Sequence, residues 1–227
     1  MTFSIAARCG DTGRFGVAIS SSSPAVAARC AHARAGIGAA ASQNVTDPRL
    51  GSLLLDQLQA GKPAVEAMRN VIEHSPEIEY RQLTVVDATG STAAYSGERC
   101  LGMHATFAET NAVAAGNLLA EESIPRLMVE AFAAEDGKHL GDRLIAALMA
   151  AMEAGGEEGP VHSAGLLIVD DVSWPTTDLR VDWSDDPVGE LGSLWRLWRP
   201  QIDAYLQRAL DPSVSPSYGV PGDSPRP

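Results

Sequence analysis

The sequence is poor in the features that would commit it to the commonest chemistries. It holds three cysteines, Cys9, Cys30 and Cys100, an odd number at wide spacing with no C-x-x-C pair, which argues against a disulfide framework and a zinc ribbon alike. The five histidines, His32, His74, His104, His139 and His162, stand without ligand spacing, so no metal site is expected. No P-loop, G-x-G-x-x-G, H-E-x-x-H or G-x-S-x-G string is present, and no cofactor is expected. No apolar run approaches the roughly 18 to 20 residues of a membrane span, and the opening MTFSIAARCG lacks the basic region, apolar run and cleavage site of a secretory signal. A cytoplasmic location without a membrane role is the expectation. Positive charge is scarce too: 17 Lys and Arg against 29 Asp and Glu leave a net charge of -12, which repels nucleic-acid phosphates and anionic lipid. Aromatic residues make up only 5% of the chain, so its 45% hydrophobic content rests mainly on Ala, Leu and Val. The core must be built from small side chains.

What is present reads as one domain over residues 1–210, large enough to fold without staples, followed by a tail. Two short apolar runs at 2–8 and 16–22, joined through Gly10, Asp11 and Gly13, predict a hairpin. A third run at 35–43 is rich in Ala and Gly and is expected to be a strand, because glycines interrupt a helix there. Leucines at 50, 53, 54 and 58, then Val65, Met68, Val71 and Ile72, give the helical period over 48–60 and 63–73, with Gly61 and Pro63 between them. Strands are expected again at 81–87, 91–96 and 111–115, helices at 123–134 and 140–154, strands at 163–169 and 178–183. A last helix over 187–210 carries Leu191, Leu194, Trp195, Trp198, Ile202, Tyr205 and Leu206 in one stripe. That stripe reads first as a buried face, and its two tryptophans also offer a two-fold interface for a homodimer. Residues 211–227 hold five of the fourteen prolines with no hydrophobic period, and are expected to be a disordered tail.

Hairpin-joined strands in groups, separated by pairs of helices, point to antiparallel sheets with helices outside. The expected fold class is α+β: two stacked antiparallel sheets between two helical layers.

One residue stands out for chemistry. Thr2 is small enough for a methionine aminopeptidase to remove Met1, leaving a threonine at the head of the first strand. Its hydroxyl is then a nucleophile and its own α-amine, with an ordinary pKa of about 7.7 to 8.0, a general base. A strand-starting threonine without any such role is the ordinary alternative.

The segments TFSIAARCGDTGRFGVAIS, RAGIGAAASQ, RQLTVVDATG, AGNLLA, RLIAAL, GGEEG, SAGLLIV and DLRVDWSDDPVGEL occur in the order found in an uncharacterised bacterial family. Over about residues 2–194 the chain resembles domain of unknown function 1028, which is assigned to the N-terminal nucleophile (Ntn) hydrolase superfamily. The resemblance implies a four-layer αββα sandwich and, through the superfamily, cleavage of amide bonds. It gives Thr2 the nucleophile's place, Ser22 the polar end of the second strand, and Arg34 the place of a fixed positive charge by the third strand. Gln43, Arg81, Gln82 and Asn117 are further polar positions that match the family. Amide side chains at strand ends donate to a developing oxyanion, and Asn117, after Gly116, is the preferred candidate. Gln43 and Gln82 are binding candidates, although all three amides would equally satisfy loop backbone. His104 is a candidate to orient or protonate a leaving group, or an ordinary loop histidine.

Two departures from the family pattern stand out. Cys9 replaces an acidic residue after the first strand, and the loop GGEEGPVHSAG keeps its acid as Glu157 but lacks an arginine and has His162 in place of Gln. The functional expectation is hydrolysis of a small-molecule carbon–nitrogen bond. The alternative is a non-catalytic ligand-binding or accessory protein that keeps the sandwich.

Overall fold

The computed structural model describes residues 2–223. Its strands are β1 (Thr2–Arg8), β2 (Phe15–Ser21), β3 (Ala31–Arg34), β4 (Gly38–Asn44), β5 (Arg81–Asp87), β6 (Thr92–Ser96), β7 (Ala105–Glu109), β8 (Ala112–Asn117), β9 (Ser163–Val169) and β10 (Thr177–Val181). Its helices are α1 (Ala27–Cys30), α2 (Pro48–Gln59), α3 (Ala64–His74), α4 (Ile124–Ala134), α5 (Leu140–Glu153), α6 (Pro187–Trp198) and α7 (Ile202–Leu210). Helix α2 starts where the sequence asks it to: Pro48 fills the first turn, and the Asp47 side chain accepts the Arg49 backbone N–H.

Six strands form one antiparallel sheet in the order β10-β9-β2-β1-β8-β7, and four form a second, β3-β4-β5-β6. The expected αββα sandwich follows from how their faces alternate. Phe3, Ile5, Ala7, Ala112 and Ala114 face outward into a core shared with α4, α5 and α6. Ala40, Leu83 and Val85 face α2 and α3. Between the sheets lie Ala6, Ala39, Ala41, Phe15, Val17, Val86, Val113 and Val169. Small side chains there let two sheets stack with few aromatic residues, which is how so aromatic-poor a sequence closes its interior.

Several local expectations are corrected. The run at 35–43 becomes a strand only from Gly38, preceded by the separate strand β3. Strand β7 lies between the strands expected at 91–96 and 111–115, where none was expected, because its side chains are half or fully exposed at the sheet edge and leave no strong alternation. The final helix is two: Pro200 has no backbone N–H to donate and crowds the preceding turn, so Arg199–Gln201 forms a 3₁₀ turn between α6 and α7. The Trp stripe belongs to the fold itself, with Leu191 and Trp195 buried in the large core and Leu194, Trp198 and Ile202 packed against it. Tyr205 of the same stripe is 40% exposed. Residues 211–223 carry no helix or strand but fold back on α7, where the Arg208 guanidinium lies 3.9 Å from the Tyr218 ring. The remainder of the expected tail, 224–227, lies outside the described residues, as does Met1. Among the described residues no helix is long and apolar enough to cross a membrane.

Leu144 is fully buried on α5 while Val65 on α3 is 63% exposed. Leu144→Ala is expected to cost about 2–5 kcal/mol of stability, and Val65→Ala less than about 0.5 kcal/mol, in urea denaturation.

Candidate functional site

At one end of the inter-sheet layer the small apolar residues give way to polar ones. Alternation from Ala6 carries Ser4 and Thr2 onto the same face of β1. Register sets Asn117 of β8 opposite Thr2, and Gln43 of β4 opposite Gln82 of β5 in the other sheet. All five side chains are buried. Four of them, Ser4, Gln43, Gln82 and Asn117, are joined by hydrogen bonds. The Ser4 hydroxyl donates to Gln43 Oε1 at 2.6 Å, Gln43 Nε2 donates to Gln82 Oε1 at 2.9 Å, and Asn117 Nδ2 donates to the same Gln82 oxygen at 3.0 Å. Gln82 Nε2 in turn donates to Ser96 Oγ and to the Gly116 carbonyl, each at 2.9 Å. The network therefore ties β1 and β8 of one sheet to β4 and β5 of the other. Asn117 Oδ1, by contrast, has no hydrogen-bond partner among the described residues.

Thr2 itself is 4% exposed, with Oγ1 donating to Ser21 Oγ at 3.2 Å. Ser21 continues the chain of hydroxyls to Ser23 Oγ at 2.8 Å, and Ser23 accepts from Arg29 Nη2 at 2.6 Å. The hydroxyl of Thr2 thus sits at the inner end of a polar track that leads outward through the serine run after β2.

A second feature comes from the far side of the sheet. Gly155 and Gly156, at φ 102° and 61°, turn the chain sharply after α5 in a conformation that side chains resist. The loop then pins itself to the segment following β8: the Ala120 N–H donates to the Gly156 carbonyl at 3.0 Å, the Glu158 N–H to the Leu118 carbonyl at 2.8 Å, and Glu157 forms a bridge with Leu119. Glu157 is 3% exposed, and its Oε1 accepts the Ser22 backbone N–H at 3.1 Å. Strand β1 lies between β8 and β2. A side chain anchored beside Leu119 and bonded at Ser22 therefore crosses the end of β1 that Thr2 occupies. Burial pushes the Glu157 carboxyl up to about 7, against the opposing pull of the amino-terminal charge, of the Ser22 hydrogen bond and of His162. Its second oxygen, Oε2, has no hydrogen-bond partner among the described residues.

The structure thus brings together Thr2, Asn117, Gln43 and Gln82 from the sequence candidates. Ser22 is adjacent, but it offers its backbone N–H to Glu157, and it is Ser21 that meets the Thr2 hydroxyl. Arg34 is not brought in. It pairs with Gly38 at the opposite end of β4 from Gln43, roughly 17 Å away along the strand, and its guanidinium is held by Asp56 at 2.9 Å and by Gln59 on α2. His104 precedes β7 at the sheet edge, exposed, with Nδ1 3.0 Å from the Gly102 carbonyl. Ser4 and Ser21 were not among the sequence's site candidates, and Glu157 was noted only as a retained acid. Ser4 was open to the alternation argument, whereas Glu157 needed the strand order. A separate cleft of about 400 Å³, lined by residues that include Arg8, Asn111, Phe132 and Arg143, lies at the other end of β1, roughly 20 Å from Thr2. Among the described residues no group of three or more His, Cys, Asp or Glu is placed to hold a metal ion.

Fold and site together define an αββα sandwich whose first strand begins at the buried polar end of the inter-sheet layer. The chain belongs to the family of unknown function DUF1028, whose model matches residues 2–191. It is similar to the crystal structure of a DUF1028 protein from Silicibacter pomeroyi, at 31% identity and a TM-score of 0.80 over 86% of this chain and 88% of that one. More distant matches are the Gly-1 mutant of Anbu from Hyphomicrobium sp. strain MC1, at 10% identity and TM-score 0.44 over 90% of this chain and 97% of that one, and Anbu, described as an ancestral beta-subunit, from Yersinia bercovieri, at 11% identity and TM-score 0.38 over 89% and 96%. No curated protein matches the chain.

Gln82→Met keeps the volume but removes the acceptor used by Gln43 and Asn117 and the donors to Ser96 and Gly116. Stranding those buried groups is expected to cost about 2–4 kcal/mol in urea denaturation at unchanged m-value.

Proposed function

We propose that this protein hydrolyses a small-molecule amide bond, with Thr2 as its nucleophile once Met1 has been removed. The observation that carries the reading is the placement of Thr2: a threonine hydroxyl at the head of a central strand, 3.2 Å from Ser21 and opposite Asn117 in register, in an otherwise apolar layer.

In this mechanism Oγ1 of Thr2 attacks the substrate carbonyl while its proton passes to the α-amine of the same residue. The carbonyl oxygen takes up negative charge, which N–H donors at the strand end stabilise. Asn117 is suited to that task, since its side-chain amide has two N–H bonds and one is committed to Gln82. Collapse of the tetrahedral intermediate expels the leaving amine, which receives the proton held by the α-amine. Water then attacks the acyl-enzyme with the same amine as base and releases the acid. Gln43 and Gln82 hold Asn117 in place from the facing sheet, where they serve the site by orientation.

The burial of Thr2 favours a second reading, in which the sandwich binds a ligand or partner without chemistry. A β-lactone electrophile separates the two. It is expected to form one acyl adduct, mapped by peptide mass to Thr2, that Thr2→Ser retains and Thr2→Ala reduces to background, with hydrolysis of any amide substrate falling on the order of 10³-fold or more in Thr2→Ala. Equal labelling of wild type and Thr2→Ala would contradict the nucleophile assignment and leave the accessory reading.

A further inference from the structure

Two buried oxygen acceptors near the head of β1, Glu157 Oε2 and Asn117 Oδ1, lack a donor among the described residues. Buried carboxylates and amides in folded proteins are nearly always hydrogen-bonded, because stripping them of water without replacement is costly. Among the described residues, this end of the sheet offers those two oxygens no donor.

The topology identifies a donor. Glu157 approaches from the β8 side, through its bridge to Leu119, and its carboxyl reaches the β2 side at Ser22. The backbone nitrogen of Thr2 lies at the start of the strand between them. An α-amine on Thr2 would bring N–H donors and a positive charge to the place that the carboxyl spans. Resting on the Thr2 reading above, we propose that Glu157 is the positioning residue for the catalytic base, binding the α-amine of the mature Thr2 through Oε2 and fixing it beside the Thr2 hydroxyl.

This assignment gives Glu157 a defined task in the reaction. As the amine accepts the Oγ1 proton it becomes an ammonium, and a carboxylate beside it stabilises the charge that develops in the transition state. The same carboxylate fixes which way the amine's lone pair points. The Gly155–Gly156 turn and the paired hydrogen bonds to Leu118 and Ala120 hold the loop rigidly enough for that. Other charged groups nearby are His162, with Asp185 3.7 Å from its ring, and Arg29, whose guanidinium is occupied by Ser23 and by backbone carbonyls of Pro24 and Ala25. Neither is bonded to Glu157.

The test is a pH titration by NMR of protein labelled with ¹³C in threonine and glutamate, after intact mass has shown that Thr2 is the first residue. In wild type, the Thr2 Cα and Glu157 Cδ signals are expected to follow two-step curves with shared midpoints, the behaviour of an interacting pair. In Glu157→Gln, which retains an acceptor for the Ser22 N–H, the midpoint of the Thr2 amine is expected to fall by about one unit or more, because an adjacent carboxylate favours the charged amine and its loss removes that support. A Thr2 midpoint unchanged in Glu157→Gln, or independent single-step curves in wild type, would overturn the role of Glu157 while leaving Thr2 as nucleophile. The wild-type titration decides the matter even where the variant fails to fold. A chain that keeps Met1 would overturn both this role and the reading beneath it, and the mass spectrum tells that failure apart.

Discussion

The structure depends on β1 being held from both sides. Antiparallel ladders to β2 and to β8 fix every residue of this strand from Phe3 to Ala7, and its outward face is locked into the core under α4, α5 and α6. A strand so placed has no freedom to slide, since a shift by one residue would turn Phe3 and Ile5 into the inter-sheet layer and Ser4 into the apolar core. Thr2, the first described residue, is consequently carried into the interior. Most proteins leave their termini at the surface; here the second residue is almost fully buried.

That placement demands polar compensation, and the sandwich supplies it from the opposite sheet. Gln43 and Gln82 face each other across β4 and β5 and reach over to Ser4, Asn117 and the carbonyls of Ala115 and Gly116. Each amide is expensive to bury alone and inexpensive when its partners are all present. The network is therefore a fastener between the sheets and, under the proposed function, a rigid support at Thr2. Among the described residues, Glu157 Oε2 and Asn117 Oδ1 have no partner, and both lie at the end of β1 that Thr2 occupies.

Much of this was legible in the amino-acid sequence, and the reasons differ from residue to residue. The hairpin of β1 and β2 and the helices α2 to α5 follow from alternation, helical period and turn residues. The αββα architecture follows from the grouping of strands and from the family resemblance, and the same resemblance singled out Gln43, Gln82 and Asn117. Arg34 was misplaced because chain order does not reveal which end of a strand a residue occupies, and the β3–β4 turn puts it at the wrong one. Strand β7 and the break at Pro200 escaped for local reasons, an exposed edge and a proline inside an otherwise continuous stripe. Glu157 was visible only as an acid retained in a glycine-rich loop. Its place beside Thr2 arises from contact between segments about 40 to 135 residues apart in sequence, which no local pattern encodes.

The account stands on Thr2 being the mature first residue, and the intact mass of protein expressed without an amino-terminal tag tests that most directly. A mass short by one methionine is the predicted result, since it leaves the α-amine of Thr2 free to act as base. A full-length mass would contradict the account, because a Thr2 whose nitrogen is tied up in a peptide bond has no amine to take the proton from its own hydroxyl.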